Sequence, residues 1–367
     1  VTNPGNKSSF QTTAAGIYSV KITNLTTTCV SAVANGTVTV NPLPTVIVNT
    51  PSTCPGLNVT VSATANPLGN YTYEWVVPLG VTNPGNQSSF STSTAGIYSV
   101  VITNTSTSCA SQSAQGTVIV NPIPTVTIDT APVCLGTPAT VSATANPPGN
   151  YTYVWTVPSG AINPGNQSSF STSVAGIYNV VITNTSTGCK SQSVPTTVVI
   201  NPIPTVNINT TPVCLGTPAT VSATANPPGN YTYVWTVPSG VTNPGNQSSF
   251  STTTAGVYSV IVTNTSTACS SQSAQNTVVI NPIPTVVVST TPVCVGTPAT
   301  VSATANPTGN YTYAWTVPSG ATNPGNQSSF STSIAGIYSV VVTNSSTACP
   351  SQSVPTTVII NNLPSVI

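Results

Sequence analysis

The chain has 367 residues, of which three are Lys or Arg, two are Asp or Glu and none is His. The charges are Lys7, Lys21, Glu74, Asp129 and Lys190, so 191–367 carries none. This balance excludes acid–base catalysis and an activated Ser nucleophile, which need titratable partners, phosphate-driven nucleic-acid binding and many-carboxylate calcium sites. No enzyme activity, cofactor or metal is expected. Val, Ile, Tyr, Thr and Trp fall in alternating runs, which is strand composition rather than disorder. No apolar run approaches the ~18–20 residues of a membrane span. With no start Met and no signal peptide, the chain is expected to be an interior piece of a longer product.

An 80-residue period organises the sequence. The string Asn-Pro-Gly-Asn-(Lys/Gln)-Ser-Ser-Phe begins at Asn3, Asn83, Asn163, Asn243 and Asn323. Trp75, Trp155, Trp235 and Trp315 keep the same phase, as do Phe10, Phe90, Phe170, Phe250 and Phe330. Pro-rich punctuation follows it too: Asn-Pro-Leu-Pro at 41–44 and Asn-Pro-Ile-Pro at 121–124, 201–204 and 281–284. The spacing predicts a half repeat at 1–41 and complete repeats at 45–121, 125–201, 205–281 and 285–361. Residues 362–367 would be a linker and the start of the next. Two prolines in four residues favour a stiff, extended connector. With strands rising ~3.3 Å per residue, such an array would be a head-to-tail rod of ~150–180 Å.

In chain order, the repeat 125–201 predicts a short strand at 126–130 and an apolar/hydroxyl alternating strand at 139–145. After a turn over 146–150 comes a strand at 151–157. A loop through 163–166 leads to a weak strand around Phe170, then strands at 176–183 and 196–200 joined by a turn near Cys189. About seven short strands and no helix read as an all-β sandwich. The loops over 146–150 and 163–166 are read as turn chemistry, with Pro setting φ and Gly allowing φ > 0.

Trp155 on the third strand and the run Ala-Gly-Ile-Tyr178-Asn-Val180 resemble the immunoglobulin-like and PKD-like family. The paired signature Val-Cys134-x-Gly and Gly-Cys189 is similar to repeats of giant secreted surface proteins of the Bacteroidota: adhesins, filaments and capture appendages. The Gly-Asp-Gly turn of PKD domains is absent, with Pro-Ser-Gly in its place. The resemblance implies tandem Ig-like sandwiches with Trp75, Trp155, Trp235 and Trp315 in the cores. It also implies that Tyr98, Tyr178, Tyr258 and Tyr338 make a corner hydrogen bond at the start of the sixth strand. An extracellular, cell-surface location follows from it.

The cysteines recur at two phases: Cys54, Cys134, Cys214 and Cys294, and Cys29, Cys109, Cys189, Cys269 and Cys349. Without His or a Cys-x-x-Cys pattern, zinc is not indicated, and regular Cys in a secreted array reads as disulfides. In an Ig-like sandwich the two Cys of one repeat would lie at opposite ends of the domain, too far apart for the ~7 Å that a bridge allows between Cα atoms. The preferred pairing therefore spans the junctions: Cys54–Cys189, Cys134–Cys269 and Cys214–Cys349. Within-repeat pairing such as Cys134–Cys189 is the rival, and chain-to-chain bridges stand third.

The Asn-x-Ser/Thr triplets read as chance matches in a chain rich in Asn, Ser and Thr. Asp129-Thr-Ala resembles an O-glycosylation signal but occurs in one repeat only. Tyr151, Tyr153 and Trp155 share one strand face, read as core rather than as a sugar platform. The uncharged outward positions admit copies of the chain as partners, because a surface near zero net charge associates without repulsion; the other reading is a single stalk that tolerates low charge. A cell-surface or glycan target would lie outside this chain. The first functional reading is a structural shaft of a secreted adhesin or extracellular filament, holding an adhesive or capture element away from the cell. The alternative is a multivalent carbohydrate- or surface-binding array.

Overall fold

The computed structural model describes residues 2–364, and strand is the only regular structure among them. Two compact units emerge: residues up to 130 together with 140–198, and residues 131–139 together with 199 onward.

The second unit contains the whole repeat 205–281, which serves as reference. Its strands are β1 (Thr205–Thr210), β2 (Val213–Cys214), β3 (Ala219–Asn226), β4 (Tyr231–Thr236), β5 (Ser249–Thr252), β6 (Gly256–Asn264), β7 (Ala274–Val278) and β8 (Ile280–Asn281). One antiparallel sheet has the order β1-β3-β5 and the other β4-β6-β7. Period-2 sequence alternation dictates which side chains face inward. On β3, Ala219, Val221 and Ala223 are buried while Thr220 and Thr224 are exposed. On β6, Tyr258, Val260 and Val262 are buried and Val257 is exposed. The inner faces meet in one core of Val206, Ile208, Val221, Trp235, Tyr258, Val260, Val262 and Val278. Tyr231, Tyr233 and Phe250 pack against it. The aromatic stripe on β4 is thus a core face.

The tiny strands β2 and β8 pair in parallel, Val213 with Ile280 and Cys214 with Asn281. This differs from the expected continuous last strand: the ladder of β7 with β6 stops at Val278, and after Val279 the chain re-pairs with β2. Asn281, which ends the repeat and opens the Pro-rich string, is the last residue of β8, leaving Pro282–Pro284 as the connector. The second proline of each connector is buried (Pro44, Pro124, Pro204 and Pro284). Repeat 285–361 has the same strands and registers.

The first unit holds the repeat 45–121, with sheets Thr45–Asn49/Val59–Asn66/Ser89–Thr92 and Tyr71–Val76/Gly96–Asn104/Ala114–Val118. There the parallel pair shrinks to a single bridge, Thr53 to Val120. The strands Thr125–Thr130, Ala139–Asn146, Tyr151–Thr156, Ser169–Thr172, Gly176–Asn184 and Val194–Val198 of the next repeat follow the same plan. Residues 2–41 contribute two strands, Gly16–Val20 and Ala34–Val38, paired antiparallel. Of the sequence assignments, the tail of 362–367 falls outside the described residues from 365 on.

Candidate functional site: the bridged junctions

Three elements of the 205–281 repeat hold its two ends in place. At the end where the chain arrives, β1 begins opposite the end of β3, Thr205 against Asn226. There the β6–β7 turn accepts and donates through its own backbone: Asn264 N–H to Cys269 O at 3.0 Å and Ala268 N–H to Asn264 O at 2.8 Å. The Asn264 Oδ1 caps the turn by accepting from Ser266 and Thr267 N–H. Thr265 N–H donates to Asn230 O at 3.1 Å, tying this turn to the β3–β4 turn beside it. Cys269 therefore sits on a rigid turn at that end. At the other end, β2 is fixed by Val213 N–H to Val279 O at 3.1 Å and Leu215 N–H to Asn281 O at 2.8 Å. That places Cys214 beside the exit of the chain.

Across each connector these two positions meet. Cys54 is joined to Cys189, Cys134 to Cys269 and Cys214 to Cys349, with Cα–Cα distances of 5.6, 5.6 and 5.5 Å. Each pair is 135 residues apart, one repeat plus the interval between the two phases. Cys189, Cys269 and Cys349 are fully buried. The Cys189 Sγ lies 3.8 Å from the carbonyl oxygen of Asn121, so the bridge packs on the connector itself. Cys29, Cys109 and Cys294 have no disulfide partner among the described residues.

The aromatic positions are equally regular. Trp235 is 3% exposed, donates Nε1–H to Gln247 O at 2.8 Å and meets Phe250 edge-on at 4.9 Å between centroids. Phe250 in turn contacts Tyr258 at 5.8 Å. The buried Tyr258 hydroxyl donates to Thr254 O at 3.0 Å and lies 2.8 Å from Thr252 Oγ1. Trp75, Trp155 and Trp315 and Tyr98, Tyr178 and Tyr338 occupy the same settings.

Sequence reasoning missed the role of the Asn-Pro-Gly-Asn loop beyond its turn. Asn243 Nδ2 donates to Trp235 O at 2.8 Å and Asn246 Oδ1 accepts from Tyr233 N–H at 2.7 Å. The loop thus occupies backbone groups along the outer edge of β4, where no further strand pairs. The strict recurrence of both Asn residues at one phase was the available signal. Among the described residues no group of three or more His, Cys, Asp or Glu is placed to hold a metal ion.

No family model and no curated protein matches the chain. Among solved structures it is similar to the N-terminal eight Ig domains of Down Syndrome Cell Adhesion Molecule isoform 1.30.30, at TM-score 0.37 and 14% identity, covering 97% of this chain and 54% of that one. An I-band fragment of titin matches at TM-score 0.37 and 14% identity, covering 66% of this chain and 99% of that one. The immunoglobulin domains 1–5 of Sidekick-1 match at TM-score 0.25 and 14% identity, covering 86% and 77%. The chain spans about half the length of the cell adhesion molecule fragment. The protein is a tandem array of Ig-like β-sandwich repeats.

Proposed function

We propose that the chain is the shaft of a secreted cell-surface adhesin or extracellular filament, a structural element without catalytic activity. The observation that carries this reading is the set of three disulfides, each tying one repeat to the next across a connector of a few residues. A bridge inside a repeat would serve folding stability. A bridge between repeats leaves each core as it is and restrains bending, which a shaft needs and a set of independent binding modules does not. Stable disulfides also call for an oxidising compartment, which supports an extracellular location. Copies of the chain are the proposed lateral partners, since 191–367 presents no charge that would oppose parallel packing.

Small-angle scattering of the full chain, oxidised and then reduced, tests the shaft. The expected oxidised species is a stiff particle with a maximum dimension of ~150–180 Å, from strand rise and repeat number. Reduction should broaden its distance distribution while leaving the far-UV circular dichroism unchanged. A freely jointed profile before reduction would overturn the reading. Retention on a glycan array by the same material would favour the carbohydrate-binding alternative.

A further inference from the structure

A strand at the edge of a sheet leaves backbone N–H and C=O groups that need partners. In the repeat 205–281 the sheets β1-β3-β5 and β4-β6-β7 have their edges at β1, β5, β4 and β7. Three of these are closed. The β4 edge is occupied by Asn243 and Asn246. β1 and β7 close on each other, with Asn276 Nδ2 donating to Ile208 O at 2.8 Å. In the repeat 45–121 the same approach is so tight that a Cβ on Gly116 would lie 3.0 Å from Val48 O. β5 is different: among the described residues no strand pairs with its outer edge, and no loop or side chain hydrogen-bonds to the backbone of Ser249 or Ser251.

The ladder with β3 fixes which groups that edge offers. Ala223 N–H donates to Ser248 O at 2.8 Å, and the register continues Ser222–Ser249, Val221–Phe250, Thr220–Ser251 and Ala219–Thr252. Antiparallel pairs alternate between bonded and non-bonded. Phe250 and Thr252 therefore turn their backbone groups to β3, and Ser249 and Ser251 turn theirs away. Both serines are exposed, while Phe250 between them packs on Trp235 and Tyr258. The string Ser-Ser-Phe-Ser-Thr is identical at 88–92, 168–172, 248–252 and 328–332. In every case its strand is the edge of a three-stranded sheet.

We propose that this edge is the docking site for the same edge of a second copy of the chain, paired antiparallel about a two-fold axis through Phe250. The edge is self-complementary in that arrangement. Ser249 of one copy falls opposite Ser251 of the other, and each such pair exchanges both N–H···O=C bonds. The two Phe250 residues form the non-bonded pair between them. Side-chain alternation is kept, so the serines stay on the polar outer face and the rings stay in the cores. The sheet β1-β3-β5 is thereby continued into its counterpart. No charged residue lies in 205–281 or 285–361 to oppose the approach of like edges. A second copy also brings the matching edge at every 80-residue step, and repetition multiplies a contact that so short a strand makes weak.

The proposal rests on the reading that copies of the chain are lateral partners, and it names the surface they share. The test uses the oxidised full chain. Raising its concentration should slow amide exchange at Ser249, Ser251 and their equivalents, with β6 as an unchanging reference, while sedimentation reports species beyond the monomer. A chain carrying Ser91→Pro, Ser171→Pro, Ser251→Pro and Ser331→Pro lacks one outward N–H on each edge and keeps its ladder to β3. It should lose both effects with its far-UV circular dichroism unchanged. Lysine at the same four positions leaves the backbone intact and sets like charges across the axis, which tests the edge even where proline disturbs the fold. That chain should be monomeric at low salt and associate again at high salt. Association that leaves exchange at Ser249 and Ser251 unchanged, or that both variants retain in full, would overturn the proposal and leave the lateral-partner reading standing. Protection already complete in the dilute chain would also overturn it, since one copy would then cover its own edge. A wild-type chain that stays monomeric at high concentration would overturn both.

Discussion

At the residue scale the repeat rests on one aromatic line, Trp235–Phe250–Tyr258, whose two polar ends both find backbone carbonyls. Burial of an indole N–H or a phenol O–H is tolerable only on that condition. Tyr258→Phe removes the hydroxyl and leaves Thr252 and Thr254 short of a partner, which should destabilise that repeat by about 1–2 kcal/mol. Trp235→Ala should cost about 3–5 kcal/mol, the range for deleting a large core side chain. In chemical denaturation each variant should show one repeat unfolding ahead of the rest. An unchanged transition would show that the core does not depend on this line. Gly256 is fixed by a different constraint: at φ 145° a Cβ there would lie 2.8 Å from the Pro238 ring.

At the scale of elements, edges matter more than faces. An open strand edge invites pairing with other chains, and on β4 the Asn-Pro-Gly-Asn loop takes up Tyr233 N–H and Trp235 O. For the sheet of β4, the lateral association proposed above would then fall to the outward face, where Val234 and Val257 stand among Ser and Thr. Sedimentation should accordingly show self-association that barely changes between low and high salt, because no charge is there to be screened. Asn246→Ala, which frees the β4 edge, should add larger, irregular aggregates. A monomer at high concentration, or multimers that dissolve in salt, would overturn this picture. The long strands were legible because alternation and turn residues mark them: Ala219–Asn226 reads directly from its apolar/hydroxyl pattern. The pair Val213–Cys214 with Ile280–Asn281 was not, since two residues carry no period and their partners are almost seventy positions apart. The anchoring role of Asn243 and Asn246 was hidden for another reason: an Asn flanking a Pro-Gly pair is already accounted for by its turn.

For the molecule as a whole, the bridges set what a pulling force can extend. Tension entering at Cys54 passes through sulfur to Cys189, along the backbone to Cys214, and through sulfur again to Cys349. Between Cys54 and Cys349 only 214 − 189 = 25 residue steps bear load out of 349 − 54 = 295. At ~3.4 Å per residue, that is a releasable length of roughly 85 Å oxidised against roughly 1,000 Å reduced. Single-molecule stretching with handles outside these cysteines should show that contrast. Sawtooth unfolding of every complete repeat under oxidising conditions would refute it.

The same three bonds have a consequence for damage. The loops they close run from 54 to 189, 134 to 269 and 214 to 349, and each overlaps its neighbour. Any single backbone cut between Cys54 and Cys349 therefore falls inside at least one loop, and a cut within 134–189 or 214–269 falls inside two. A protease that severs one exposed turn leaves the pieces joined. The chain is woven like a braid, in which one broken thread releases nothing, and this continuity persists wherever the thiols stay oxidised.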